Sequence, residues 1–161
     1  MKKLKMTLAI LLAVVVVATV ALRLAVPKLS GASAASGILE NNGQSTLGDC
    51  PDIPNCQGSE SSRNSQKVDR LALSKSATDA IDILSTIISS QAGAQIVTRD
   101  ERYLHATFVT RIMGYIDDVE FLVSDDGQSL QVRSASRLGK SDLGANAKRI
   151  ALLRSLTEGK I

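Results

Sequence analysis

From Met6 to Val26 the chain is almost continuously apolar, interrupted by Thr7, Thr19 and Arg23 and closed by Pro27. As a helix this stretch rises about 31 Å at about 1.5 Å per residue, close to the hydrocarbon thickness of a bilayer. It predicts a membrane-inserting helix, in which every amide bonds within the segment. Then the pattern changes. Leu29 to Asp49 has no sustained period and is rich in Ser, Ala, Gly and Asn, which reads as a flexible tether. Gln57 to Gln66 is Ser-rich and polar, a second loop. Val68 to Leu73 alternates in part and predicts a short edge strand. Between Ser76 and Gln91, Ala77, Ala80, Ile81, Leu84, Ile87 and Ile88 form one helical stripe. Ser76 is placed to cap that helix, Asp79 suits the dipole of its first turn, and Gly93 suits its exit.

After Gly93 the period becomes two. Gln95–Thr98, Arg102–Ile112, Asp118–Ser124 and Ser129–Ser136 predict four strands. Asp125-Asp126-Gly127 supplies the positive-φ residue of a tight hairpin, and the short connections imply antiparallel neighbours. Ser141 is placed to cap a last helix from Asp142 to Thr157, with Leu143, Ala147, Ile150, Leu153 and Leu156 on one side and Gly159 after it. The order β-α-β-β-β-β-α predicts an α+β domain. Its antiparallel sheet has four to five strands, depending on the first, and both helices cover one face. The 161 residues hold one such domain. The expected organisation is a signal-anchor segment over 1–28, a linker over 29–49 and the domain over 50–161.

Charge sharpens the first segment. The chain carries a net +3, but Lys2, Lys3, Lys5, Arg23 and Lys28 account for five of its nineteen basic residues and all sixteen acids follow them. The remainder has fourteen basic residues against sixteen acids, so the basic character belongs to the apolar segment. With four aromatic residues in the domain and no basic excess, nucleic acid is excluded as a partner. The leading lysines stay on the cytoplasmic side and place the domain outside, with a single span in the inner membrane and a periplasmic domain. The alternative is cleavage at Ala32-Ser33-Ala34 or Ser33-Ala34-Ala35, releasing a periplasmic protein that begins near Ala35 or Ser36. An apolar core longer than the ~7–15 residues of a signal peptide favours the uncleaved anchor.

Alternation also sorts the polar residues. Leu104, Ala106, Phe108, Val119, Phe121, Val123, Leu130, Val132 and Ser134 point to the core. Tyr103, His105, Arg111, Asp118, Glu120, Arg133 and Arg137 gather on the opposite face. That face reads either as a solvated surface with weak ion pairs or as a polar groove. In the groove reading the arginines fork onto an anionic small molecule, a lipid headgroup or a membrane-protein partner, and Asp118 and Glu120 orient them. A catalytic version uses His105 as general base, oriented by Asp118 or Glu120. No nucleophile elbow, phosphate loop or zinc spacing accompanies it, so no cofactor or metal is expected. Ser134, Ser136 and Ser141 are nucleophile candidates by availability alone. Cys50 and Cys56, in an extracytoplasmic domain, predict a structural disulfide, since the spacing is not C-x-x-C and two cysteines do not close a zinc site.

Cys50-Pro51-Asp52-Ile53-Pro54-Asn55-Cys56 resembles the C-P-x-x-P-N-C signature of the family called domain of unknown function 1499 (DUF1499). Tyr103–Ala106, Gly114–Phe121, Val132–Arg137 and Ser141–Gly144 are similar to its other blocks, in order, over roughly Cys50 to Leu156. Gln57-Gly58-Ser59 departs from the Val-Ser-Ser that typically follows the second cysteine, and Lys140 stands where aromatic residues are common. The resemblance implies a small domain, often behind an export or membrane segment, and it implies no established activity. Together these readings predict a non-enzymatic binding or scaffold module, with a hydrolase or transferase built on His105 as the alternative.

Overall fold

The computed structural model describes residues Lys2–Ile161. Helix α1 (Lys2–Leu29) is long and apolar enough to cross a membrane, and its side chains are exposed along most of its length. It meets the domain at its end. The Arg23 guanidinium donates to the Thr110 carbonyl, and Val26 is buried. Gly114 backs onto the same turn: a Cβ there would lie 3.1 Å from the Arg23 carbonyl oxygen and 3.3 Å from the Pro27 ring. Its φ of +74° adds a second reason for glycine.

Strands β1 (Leu39–Asn41) and β2 (Gln44–Thr46) form a hairpin around Asn42 and Gly43, both at positive φ, as a tight two-residue turn requires. Then follow β3 (Cys56–Gly58), β4 (Leu71–Ala72), α2 (Ala77–Ser89), β5 (Ala94–Arg99), β6 (Tyr103–Val109), β7 (Ile116–Val123), β8 (Ser129–Ser136) and α3 (Ala145–Thr157). The main sheet is antiparallel in the order β3-β8-β7-β6-β5, and β4 also pairs with β8, beside β3. It therefore has six strands where four to five were expected. The additional strand is β3, whose three residues, Cys56-Gln57-Gly58, are too few to show an alternation.

Both α2 and α3 lie on one face, as expected for an α+β domain. Ala80, Ile81, Leu84 and Ile88 of α2 and Ile150 and Leu153 of α3 pack on Leu104, Ala106, Phe108, Val119, Phe121, Val123, Leu130 and Val132. These strand residues are the ones alternation points inward, and each large one contributes about 1.5–3 kcal/mol by burial. Ser76 Oγ accepts from the Asp79 amide at 3.2 Å and caps α2. The start of α3 differs from expectation. Leu143 and Gly144 take positive φ, so the helix begins at Ala145, and Asp142 rather than Ser141 accepts from its first turn, at 2.7 Å from the Asn146 amide. The buried face accordingly runs through Asn146, Ile150, Leu153 and Thr157, while Leu143 is 89% exposed.

The opposite sheet face is not solvated. The stretch expected as a flexible linker carries the β1–β2 hairpin and lies along this face. Leu47 forms a small apolar cluster with Tyr103 and Leu122, and Ala34 packs on Cys50, Cys56 and Ala135. The reason is hydrogen bonding: the face holds buried acceptors that the main chain of this stretch satisfies.

Candidate functional site

Adjacent strands fix the site. Across the register Glu120 lies between His105 of β6 and Arg133 of β8, and Asp118 between Thr107 and Ala135. Alternation puts Tyr103, His105, Asp118, Glu120 and Arg133 on the same face, with Arg137 just past β8. Both carboxylates are fully buried. Glu120 accepts from the Tyr103 hydroxyl at 2.9 Å, Arg133 Nη1 at 3.1 Å, and the main-chain amides of Ser36 and Gly37 at 2.8 Å each. Asp118 accepts a fork from Arg137 Nε and Nη2 at 2.8 and 2.9 Å, and a contact from His105 Nε2 at 2.7 Å. The Ala34 amide and the Ser33 hydroxyl complete it, both at 2.8 Å. Arg133 Nη1 also donates to the Ala34 carbonyl at 2.6 Å. Further along, Gln131 Oε1 accepts from the Leu47 amide at 2.8 Å and its Nε2 donates to the Ser45 carbonyl at 3.2 Å.

Most of these bonds to the covering stretch go to its main chain. The face therefore holds extended backbone of small residues, with little demand on their side chains. Two arginines balance two acids, which leaves the cluster near neutral. Burial acts to raise the Asp118 carboxyl, but hydrogen bonds from His105, Arg137, the Ala34 amide and Ser33 outweigh it and hold the group well below the usual carboxylate range. Burial, followed by the neighbouring Glu120 charge, pushes the Tyr103 hydroxyl upward, so it stays a donor. One donor is left over: among the described residues the buried Arg133 Nε has no acceptor.

Six of the seven residues predicted for this face come together. Arg111 does not. Strand β6 ends at Val109, and Arg111 sits exposed in the following turn. Arg133 and Arg137 are already committed to carboxylates, so the three arginines do not form one anion site. For the catalytic reading, His105 contacts Asp118 as required, but among the described residues no hydroxyl bonds to the ring. Ser134 and Ser136 face the helices instead. Ser134 Oγ lies 2.5 Å from Asn146 Oδ1, and Asn146 Nδ2 donates to Ser136 Oγ at 3.0 Å.

That second polar cluster was missed in the sequence. Asn55, from the cysteine motif, donates to the Gly139 carbonyl at 2.7 Å and accepts through its own carbonyl from Asn146 at 2.8 Å. Asp117 accepts from Arg149 Nη2 at 2.6 Å, and Arg149 lies 4.7 Å above the Phe108 ring. An acid of inward parity at Asp117 was the available signal. Cys50 and Cys56 are joined in a disulfide, with Cα atoms 5.7 Å apart.

The family model described as protein of unknown function (DUF1499) matches residues 46–156. No curated protein and no solved structure matches.

Proposed function

We propose, from the premise that the chain belongs to the DUF1499 family of proteins of unknown function, that it is a membrane-anchored, extracytoplasmic binding module. Its polar face receives extended polypeptide through main-chain hydrogen bonds. The resident occupant is its own Ser33–Gly37 stretch, and a small-residue segment of a membrane-protein partner exchanges with it. The observation that carries this reading is the pair of fully buried carboxylates, Asp118 and Glu120, whose acceptors are filled by the amides of Ala34, Ser36 and Gly37. The orphaned Arg133 Nε offers an unused donor to a carbonyl of a replacement segment. The apolar α1, the lysines before it and the disulfide support placement at the outer side of the cytoplasmic membrane.

The test opens the face. Ala34→Pro with Ser36→Pro removes two of the three amide donors. A labelled peptide of residues 32–48 is then titrated onto the full chain in detergent. Saturable binding to this variant, weak binding to wild type, and loss of binding on adding Asp118→Asn and Glu120→Gln are expected. Equal peptide affinity for opened and wild-type chains would sink the reading.

A hydrolase or transferase is the second reading, favoured by the 2.7 Å contact of His105 Nε2 with Asp118. It requires the covering stretch to leave, since His105 is 6% exposed beneath it. The same opened variant discriminates the two. Turnover that vanishes with His105→Ala, while peptide binding persists, belongs to the enzyme.

A further inference from the structure

A cleft of about 410 Å³ lies where α1 meets the ends of β5 and β6. Three arginines line it, Arg23 from α1, Arg111 from the turn after β6 and Arg149 from α3, with Gly93, Phe108 and Thr110 between them. Among the described residues no acid lines the cleft. Arg149 is committed, its Nη2 to Asp117 and its Nη1 to Asn146 at 2.6 Å. Arg23 uses one nitrogen on the Thr110 carbonyl. Among the described residues neither Arg23 nor Arg111 pairs with a carboxylate, and Arg111 is exposed.

Depth decides what reaches them. Arg23 stands three residues before Val26, about 4–5 Å short of the end of the apolar run at about 1.5 Å per residue. A guanidinium there extends to the headgroup level. The Thr110 carbonyl and Gly114, which touch Arg23 and Pro27, lie at that level too. Beside Arg111 the chain exposes Ile112, 65% accessible. A cation next to an unpartnered apolar side chain, at the end of a span, matches the interface of a bilayer, with the charge at phosphate and the apolar group at the acyl boundary.

We propose that Arg23 and Arg111 bind the phosphate of an anionic phospholipid in the leaflet on the domain's side, while Ile112 enters the acyl boundary. The two guanidinium forks match a phosphate oxyanion. The inference rests on α1 remaining as the anchor, and it is independent of what occupies the strand face.

The full-length chain is reconstituted in nanodiscs with equal phosphatidylglycerol and phosphatidylcholine, then released for native mass spectrometry. Phosphatidylglycerol is expected to be retained over phosphatidylcholine about tenfold, and Arg111→Ala to reduce that retention about tenfold. Among the described residues Arg111 is exposed and its side chain makes no hydrogen bond or ion pair, so this variant keeps its fold, checked by exchange protection of α2. Equal retention of the two lipids, or no effect of Arg111→Ala, overturns the site. Saturable inorganic phosphate binding in lipid-free detergent, together with no lipid retained from the nanodiscs, overturns the lipid assignment. The intact mass separates the causes. A chain beginning at Ala35 or Ser36 overturns the anchor reading and this site together, whereas a full-length mass without lipid preference overturns this site alone.

Discussion

Glu120→Gln removes one charge and one acceptor from the middle of the covered strand face and leaves the shape nearly unchanged. Wild-type Glu120 receives five donors: Tyr103, Arg133, the amides of Ser36 and Gly37 and, at longer range, the Ser36 hydroxyl. The glutamine keeps one carbonyl oxygen and turns the other terminus into a donor that faces donors. Each bond lost to the carboxylate is worth about 1.5–3 kcal/mol. Arg133, almost fully buried, also loses its counter-charge, and breaking a buried pair in this way costs about 3–5 kcal/mol. Against a net stability of about 5–15 kcal/mol for a domain, the variant remains folded but weakened. Native-state hydrogen exchange on the full chain in detergent reads the effect locally. Loss of one amide bond at Ser36 or Gly37 accelerates exchange there about 10- to 100-fold, since about 1.4 kcal/mol is a factor of ten. The α2 amides of Leu84 and Ile88 report global opening. Wild-type exchange at Ser36 and Gly37 in a folded Glu120→Gln chain would refute the reasoning, because the stretch would then be held by something other than Glu120.

Acid should act through Asp118. Its folded carboxyl is held below the ordinary value, so its stabilising contribution is complete above the unfolded value of about 4. That contribution is lost as pH falls from there through the folded value. Asp118→Asn is expected to be about 3–5 kcal/mol less stable than wild type at pH 7, with the gap narrowing below about pH 4. Denaturant titrations from neutral to acid pH check this, and a gap that stays constant would be inconsistent with it. Cys50→Ser with Cys56→Ser opens a short closed loop, and chain entropy puts the loss at about 2 kcal/mol. Denaturation midpoints of the oxidised and double-serine chains measure it, and equal midpoints would assign the disulfide no stabilising role.

Much of the sheet was legible because alternation is local. The parity of Leu104, Phe121 and Val132 against His105, Glu120 and Arg133 requires only neighbouring residues, and it sorts them correctly onto two faces. The cover on the second face was not legible from composition. Ser33 to Gly37 looks like a linker because its side chains are small and polar, yet what docks it is backbone, which every residue carries alike. The Asn42-Gly43 turn was the available hint that this stretch was not structureless. Arg111 illustrates the converse. Its parity matches the polar face only if β6 continues, and the strand ends at Val109.

The apolar helix, the antiparallel order after Gly93, the inward and outward residues, and the pairing of Cys50 with Cys56 are all legible in the chain's local pattern. Each follows from a period, a run length or a pair of residues close in the chain. Closure of the polar face, and its occupation by the chain's own Ser33–Gly37, emerge from the folded chain alone. Folding also moves Arg111 away to join Arg23. Those outcomes depend on contacts between residues more than eighty positions apart. They turn on where buried carboxylates find amides and where a helix end meets a turn, information that no local pattern carries.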